Sequence, residues 1–244
     1  MAHVFNELHP PLPGGRTFSE HRRPGFAACA PSGRMRLDAI AGWLQDAAYG
    51  DVEDAGLAQA AVWVVRRTRI RVRRFPRFGE RFTLTTFCSG LGRMWAERRT
   101  DIVADGEAEP VVEAVSLWVH LAPDDWRPVP LTEAELDTYG GPITPRRVTA
   151  RLRHRLPPSA DIAGAGWEFR RSECDLADHV NNAAYWTPLE EELLTGSDPD
   201  TLDAEIEYRT PAQAGPHTVI AQGSCRWIVS SGGVVHATMV IGDD

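Results

Sequence analysis

The chain has 244 residues, of which 43% are hydrophobic and 25% charged, with a formal net charge of −8 and a pI near 5.5. This is the composition of one large or two small globular domains. Its acidity disfavours nucleic acid or an anionic membrane as the main partner.

In chain order, residues 1–15 hold Pro10, Pro11 and Pro13 and no apolar core, so no secretory leader is predicted. Leu37, Ile40, Leu44, Ala47 and Ala48 recur at helical spacing within Arg36–Gly56, and Gly56 supplies a stop. Four runs rich in Val, Thr and aromatics follow as predicted strands: Trp63–Arg73, Glu80–Cys88, Met94–Val103 and Val111–Leu121. Pro and Gly in Phe75–Glu80 and Val103–Pro110 mark hairpins between them. The longest apolar run, Ala60–Val65, is far short of a bilayer span, and a soluble, cytoplasmic protein is expected. Ala122–Pro158 is a Pro-rich crossing that includes Pro142 and Pro145; within it, Thr132 followed by Glu135 predicts a short capped helix. A second helix is predicted near Asn181–Leu194, with Pro188 requiring a kink or a later start. Strands near Ala204–Arg209, Thr218–Trp227 and Val234–Ile241 complete the chain, with a tight turn at Ser230–Gly233.

A helix followed by antiparallel strands thus occurs twice. Ile70–Glu80 parallels Ile206–Pro216 as strand, then Pro, then Gly, which points to an internal duplication. The predicted fold class is α+β, two copies of an antiparallel sheet wrapped around one long helix. The expected divisions are 1–130 for the first half, 131–160 for the crossing and 161–244 for the second half.

The most informative stretch is DLADHVNN, Asp175–Asn182, at the predicted start of the second helix. It offers Asp175 as a general base, His179 as a second proton-handling group, and the N–H groups of Val180 to Asn182 for an oxygen gaining charge. Water attack on an activated acyl group needs these three things. A plainer reading competes, in which Asp175 caps the helix and His179 fills a turn. Asn181 reads as bonding local backbone, Asn182 is open between the two readings, and Glu190–Glu192 reads as a solvated face. Other schemes fail. There is no GxSxG or GxGxxG and no phosphate loop. The histidines lack metal-ligand spacing, and Cys29, Cys88, Cys174 and Cys225 are scattered without a CxxC pair. Reduced thiols, no metal and no cofactor are expected.

Several segments together resemble a known family. They are GRMRLDAIAGWLQDAAYGDVEDAG, WVVRRTRIRVRRFPRFGERFTLTTFCSGLGRMWAERR and AVSLWVHL in the first half, with DLADHVNNAAYW and IEYR in the second. Their order and spacing are similar to those of the acyl-acyl-carrier-protein (acyl-ACP) thioesterases, tandem hotdog proteins of plants and bacteria, over about Arg16–Ile241. The resemblance implies a double hotdog fold and hydrolysis of fatty acyl thioesters on carrier-bound phosphopantetheine, using water and no metal. The family's Asp-x-Asn-x-His pattern falls on Asp175, Ala177 and His179, with Ala in place of Asn. The Glu, often with a Cys, that follows the family's second-half Tyr-Arg is missing after Tyr208 and Arg209, where Thr210, Pro211 and Ala212 stand. Two other functions stay open. Ala177, Pro211 and Ala212 motivate a non-hydrolytic acyl-ACP or acyl-CoA binding protein. A hotdog hydratase or dehydratase is disfavoured, because its Asp-x-Asn-Pro-x-His spacing is absent.

The catalytic candidates are therefore Asp175, His179 and Asn182. Trp186, one turn past the motif, is the tryptophan expected to line an acyl tunnel, the others more often meaning core. Gln45 and Asp46, polar within the first helix, face either the tunnel or the seam between helices; a plain structural role is the favoured reading for both, with Gln45 kept as a substrate-side candidate. Alternation places Arg67, Arg69, Arg71 and Arg73 on one strand face. That face reads either as a soluble outer surface or as a docking patch for an acidic carrier, with Arg69 and Arg71 as substrate-binding candidates. The expected partner is acyl carrier protein or acyl-CoA. Two halves in one chain supply a pseudo-dimer, with a further homodimer left open.

Overall fold

The computed structural model describes residues 8–11, 13–58, 62–140, 146–158, 163–196 and 198–242; Pro142 and Pro145 of the crossing and Ala60 of the longest apolar run lie outside them. Its elements are β1 (Thr17–Arg22), α1 (Leu37–Asp54), β2 (Val62–Val72), β3 (Phe82–Leu91), β4 (Trp95–Ala104), β5 (Val112–Leu121), α2 (Glu133–Gly140), β6 (Ala165–Phe169), α3 (Thr187–Leu194), β7 (Leu202–Tyr208), β8 (Gly215–Gln222), β9 (Cys225–Ser230) and β10 (Val235–Ile241). The ten strands form one sheet in the order β1-β3-β4-β5-β2-β7-β10-β9-β8-β6. Read outward from the β2–β7 junction, the two sides carry corresponding strands in the same order. This is a double hotdog, and the duplication expected from the sequence is present in its topology.

The helices follow local chemistry. α1 ends where Gly56 adopts φ 71°, and its N–H and that of Leu57 return to the carbonyls of Glu53 and Val52 at 2.9 and 3.0 Å. That double bond pattern satisfies the last turn and favours glycine. α2 starts on the expected cap: Thr132 N–H and Oγ both donate to Glu135, and Glu135 N–H donates back to Thr132 Oγ. α3 begins later than expected, at Thr187 after a single 3-10 turn over Ala184–Trp186. Pro188 thus falls in the first turn, where its missing N–H has no partner to lose. Two further corrections concern strands. Thr218–Trp227 is a hairpin of β8 and β9 turning at Gly223 (φ 56°), and the short edge strands β1 and β6 were not foreseen.

The inward faces of both half-sheets close one core around the helices, joining Leu37, Ile40 and Leu44 to Ile70, Phe82, Ile102, Ile206 and Met239. The outward face at the seam is charged but not free. Arg67, Arg69 and Arg71 of β2 lie opposite Glu207, Glu205 and Asp203 of β7. Arg67 and Arg69 are buried, which overturns the reading of this face as a soluble surface. The Pro-rich crossing is what covers it. It is pinned to the first half by Trp95 Nε1 on Val148 O at 2.7 Å, to the seam by Arg153 N–H and His154 N–H on Glu207, and to the second half by Trp227 Nε1 on Arg155 O at 2.8 Å. It passes so close to β3 that a Cβ on Gly90 would lie 2.6 Å from Val148. Among the described residues, no helix is long and apolar enough to cross a membrane.

Candidate active site

The DLADHVNN loop is a tight turn closed by a bridge between Cys174 and Val180. Asp175 N–H donates to His179 O at 2.9 Å and Asp178 N–H to Asp175 O at 3.0 Å, with Asp178 at φ 56°. Aspartate tolerates that left-handed conformation better than most residues. Asp175 Oδ1 accepts Ala177 N–H at 2.9 Å, which fixes the carboxylate and leaves its second oxygen available. Asp175 does not cap a helix, since α3 begins twelve residues later at Thr187. Asn181 takes the local role expected of it, its Oδ1 accepting Ala183 N–H at 2.9 Å.

The expected trio of oxyanion donors is reduced. Val180 N–H is committed to Ala212 O at 2.9 Å and Asn181 N–H to Glu173 O at 2.8 Å. Only the Asn182 N–H remains for a substrate oxygen.

Asp175, Leu176 and Asn182 line a cavity of about 610 Å³ together with residues of α1 and the first-half sheet. Gln45, Ala48, Tyr49 and Val52 form its helix side, and Trp63, Leu91, Ala96 and Trp118 its sheet side. Leu176 is fully exposed beside Asp175. The walls also hold charged groups that the sequence reading missed. Arg98 bonds buried Asp51 at 2.7 Å, Arg16 bonds the same carboxylate at 2.7 Å, and Ser89 Oγ bonds Glu97 at 2.8 Å. Tyr139 of α2 joins them, its phenol pushed up to about 12 by burial. Cys88, also in the wall, has its thiol pushed up to about 11, again by burial, so it is no nucleophile at neutral pH.

The sequence candidates separate clearly. Asp175, Asn182 and Gln45 meet at the cavity. His179 is half-buried in the loop and is not part of the cavity wall. Trp186 is fully buried in the core, with Nε1 donating to Tyr208 Oη at 3.2 Å. It does not line this cavity, whereas Trp63 and Trp118 do. Arg69 is held at the seam by Asp203, its Nε 2.7 Å from Oδ1, and Arg71 lies 4.0 Å from the same carboxylate. Neither arginine lines the cavity. Glu190, expected on a solvated face, is fully buried.

One cluster has metal-ligand composition: His154, Glu205 and Glu207 bring ligand-type atoms within 4.8 Å of one another. Those atoms are already engaged by protein donors. Glu207 accepts Arg153 N–H, His154 N–H and the Arg209 guanidinium, and Glu205 bonds His154 Nε2 at 3.1 Å beside Arg67. The cluster serves as the charged filling of the seam.

Residues 26–139 match the family model for the acyl-ACP thioesterase N-terminal domain. The chain is 27% identical over 215 residues to an uncharacterized protein of Mycobacterium tuberculosis, covering 86% of this chain and 82% of that one. It is 28% identical over 166 residues to the chloroplastic oleoyl-acyl carrier protein thioesterase of Coriandrum sativum, covering 62% of this chain and 44% of that protein, so the match spans under half of the plant enzyme. The crystal structure of an acyl-ACP thioesterase from Bacteroides thetaiotaomicron superimposes with a TM-score of 0.76 at 17% identity, over 93% of this chain and 97% of that one.

Proposed function

Because this chain belongs to the acyl-ACP thioesterase family, we propose that it hydrolyses fatty acyl thioesters, most naturally those on acyl carrier protein, to a free fatty acid. The observation that carries this reading is the meeting of Asp175 and the unbonded Asn182 N–H with a largely apolar cavity of about 610 Å³. The first half, 1–130, holds the acyl chain, and the second half, 161–244, supplies the motif across the 131–160 crossing. Asp175 takes a proton from water as the water oxygen attacks the thioester carbon. The carbonyl oxygen gains charge facing the Asn182 N–H. The carbon–sulfur bond then breaks, and His179 supplies the proton that leaves with the thiol. No metal enters this scheme. Cytoplasmic action on a soluble carrier belongs to the same proposal.

A second reading is a non-hydrolytic acyl-binding protein. It is favoured by Ala212, which fills the region of the family's Glu and is fully buried, its N–H on Tyr185 Oη at 2.8 Å. Free-thiol release from a panel of acyl-ACP and acyl-CoA substrates separates the two. Turnover that disappears in Asp175→Ala supports hydrolysis through this site. Turnover undiminished in both Asp175→Ala and His179→Ala removes the assignment. Tight acyl-ACP binding without any turnover favours the binding protein.

A further inference from the structure

The loop that carries Asp175 has a twin in the first half. Cys29–Leu37 matches Cys174–Asn182 residue for residue. Each follows a single 3-10 turn, Phe26–Ala28 and Arg171–Glu173, and each is closed by a bridge, Cys29 to Met35 and Cys174 to Val180. Ala30 N–H donates to Arg34 O at 2.7 Å, as Asp175 does to His179 at 2.9 Å. Gly33 donates to Ala30 at 2.9 Å, as Asp178 does to Asp175 at 3.0 Å, and both Gly33 and Asp178 have positive φ. Arg36 donates to Ala28 at 2.9 Å, as Asn181 does to Glu173 at 2.8 Å. Ala30 is therefore the twin of Asp175, Arg34 of His179 and Leu37 of Asn182. The same spacing carried into the helices matches buried Ile40, Ala41 and Leu44 with buried Tyr185, Trp186 and Leu189, and makes Gln45 the twin of Glu190.

The first-half loop has no base, yet its cradle is filled. Glu190 reaches into it from the other half's helix. Arg34 donates to both carboxylate oxygens, at 3.2 and 2.8 Å, and Leu37 N–H donates to Oε2 at 3.0 Å. An oxygen is thus held between the loop side chain and the N–H that opens the helix. In the second-half loop the same three positions are His179, the Asn182 N–H and Gln45. Gln45 and Asn182 face one cavity, and among the described residues no hydrogen bond joins them.

Resting on the thioesterase reading above, we infer that the substrate's acyl oxygen takes the place that Glu190 Oε2 holds in the twin, and that Gln45 is a positioning residue reaching across from the first half to hold it. The chemistry of the two side chains explains the difference between the loops. A carboxylate at this position is drawn to the donors and closes the cradle. An amide is neutral and carries its own N–H donors, so it leaves the Asn182 N–H free for an oxygen that gains charge and does not tie up His179, whose proton goes to the leaving thiol. One cradle is locked by the protein's own anion, and its twin is open to substrate.

The test compares wild type with Gln45→Glu and Gln45→Ala, following the His179 ring by NMR titration with His179→Asn to assign it. Asp46, Glu173, Asp175 and Asp178, with the Arg171 guanidinium 3.6 Å from Asp178, are the other charged groups near this loop and are common to all three proteins. The expected result is a His179 midpoint raised by about one unit or more in Q45E, since a carboxylate within hydrogen-bonding range favours the charged ring. It is accompanied by kcat lower by about 10-fold or more in both variants, with KM little changed. An unmoved His179 midpoint in Q45E overturns the inference, even if kcat falls, because a merely structural role lowers activity without touching that titration. The titration needs no turnover, so an inactive wild type would sink the proposed function while leaving this geometry standing or falling on its own readout.

Discussion

Arg69 of β2 stands directly opposite Glu205 of β7, and the two are the same position of the duplicated pattern that aligns Ile70 with Ile206. Identical copies would set like against like on this axis. Here one copy presents Arg67, Arg69 and Arg71 and the other Asp203, Glu205 and Glu207, so the halves are complementary to each other rather than to themselves. Opposite charges across a strand pair stabilise it, and like charges there destabilise it.

Acid should loosen this seam first. Burial pushes the Glu205 carboxyl up, but the His154 hydrogen bond and the Arg67 and Arg153 guanidiniums outweigh it and hold the group below its ordinary value of 4.5. Its contribution is therefore present above about pH 4.5 and is lost as pH falls through the lower folded value. Urea melts between pH 7 and pH 3 should show stability falling in that window. Glu205→Gln should be less stable at pH 7 and show a flatter acid limb; an unchanged limb would show that Glu205 does not govern it.

The locked twin should behave as a buried ion pair. Arg34 and Glu190 side chains are each 1% exposed, so Glu190→Ala leaves a buried guanidinium and the Leu37 N–H without their main partner. A loss of about 3 kcal/mol is expected, near the low end for such breaks because Asp198 still holds Arg34 Nε at 3.0 Å. The paired change Arg34→Met with Glu190→Met should recover most of the melting temperature. A double variant as unstable as the single one would contradict this.

Asp175→Asn keeps an oxygen for the Ala177 N–H and removes the negative charge. The turn should persist, with the melting temperature within about 2 °C of wild type, while kcat falls by about 10²–10⁴. A drop smaller than about 10-fold in thiol release would dismiss Asp175 as the base.

Chain-length preference should follow the sheet wall. Ala96 lines the cavity opposite α1, and Ala96→Phe fills part of it. Rates on long acyl chains should fall by about 10-fold or more relative to short ones, since each methylene excluded from an apolar pocket costs about 1–3 kcal/mol. An unchanged ratio across the panel would place the acyl chain elsewhere.

Much of this was legible in the residues. The helical spacing of Leu37, Ile40 and Leu44, the Thr132–Glu135 cap and the stop at Gly56 depend on neighbours in sequence, and they stand where local chemistry put them. The sequence placed a helix start at Asn181 beside Asp175, and tertiary structure moved that start to Thr187, leaving Asp175–Asn182 as a tight turn. Trp186, Arg69 and Glu190 were misread for one shared reason. Whether a large or charged side chain is wall, seam or surface depends on what packs over it, and here the covers come from distant segments: β7, the 146–158 crossing and the opposite helix.

By itself the sequence determined the repeated elements, their alternating faces and the loop that holds a carboxylate, since these follow from side-chain period and backbone preference over a few residues. Only the tertiary structure decided which of two matching loops is open. That depends on Glu190 and Gln45, each placed by the helix of one half against the loop of the other, a pairing that contact across the folded core creates and that no local spacing contains.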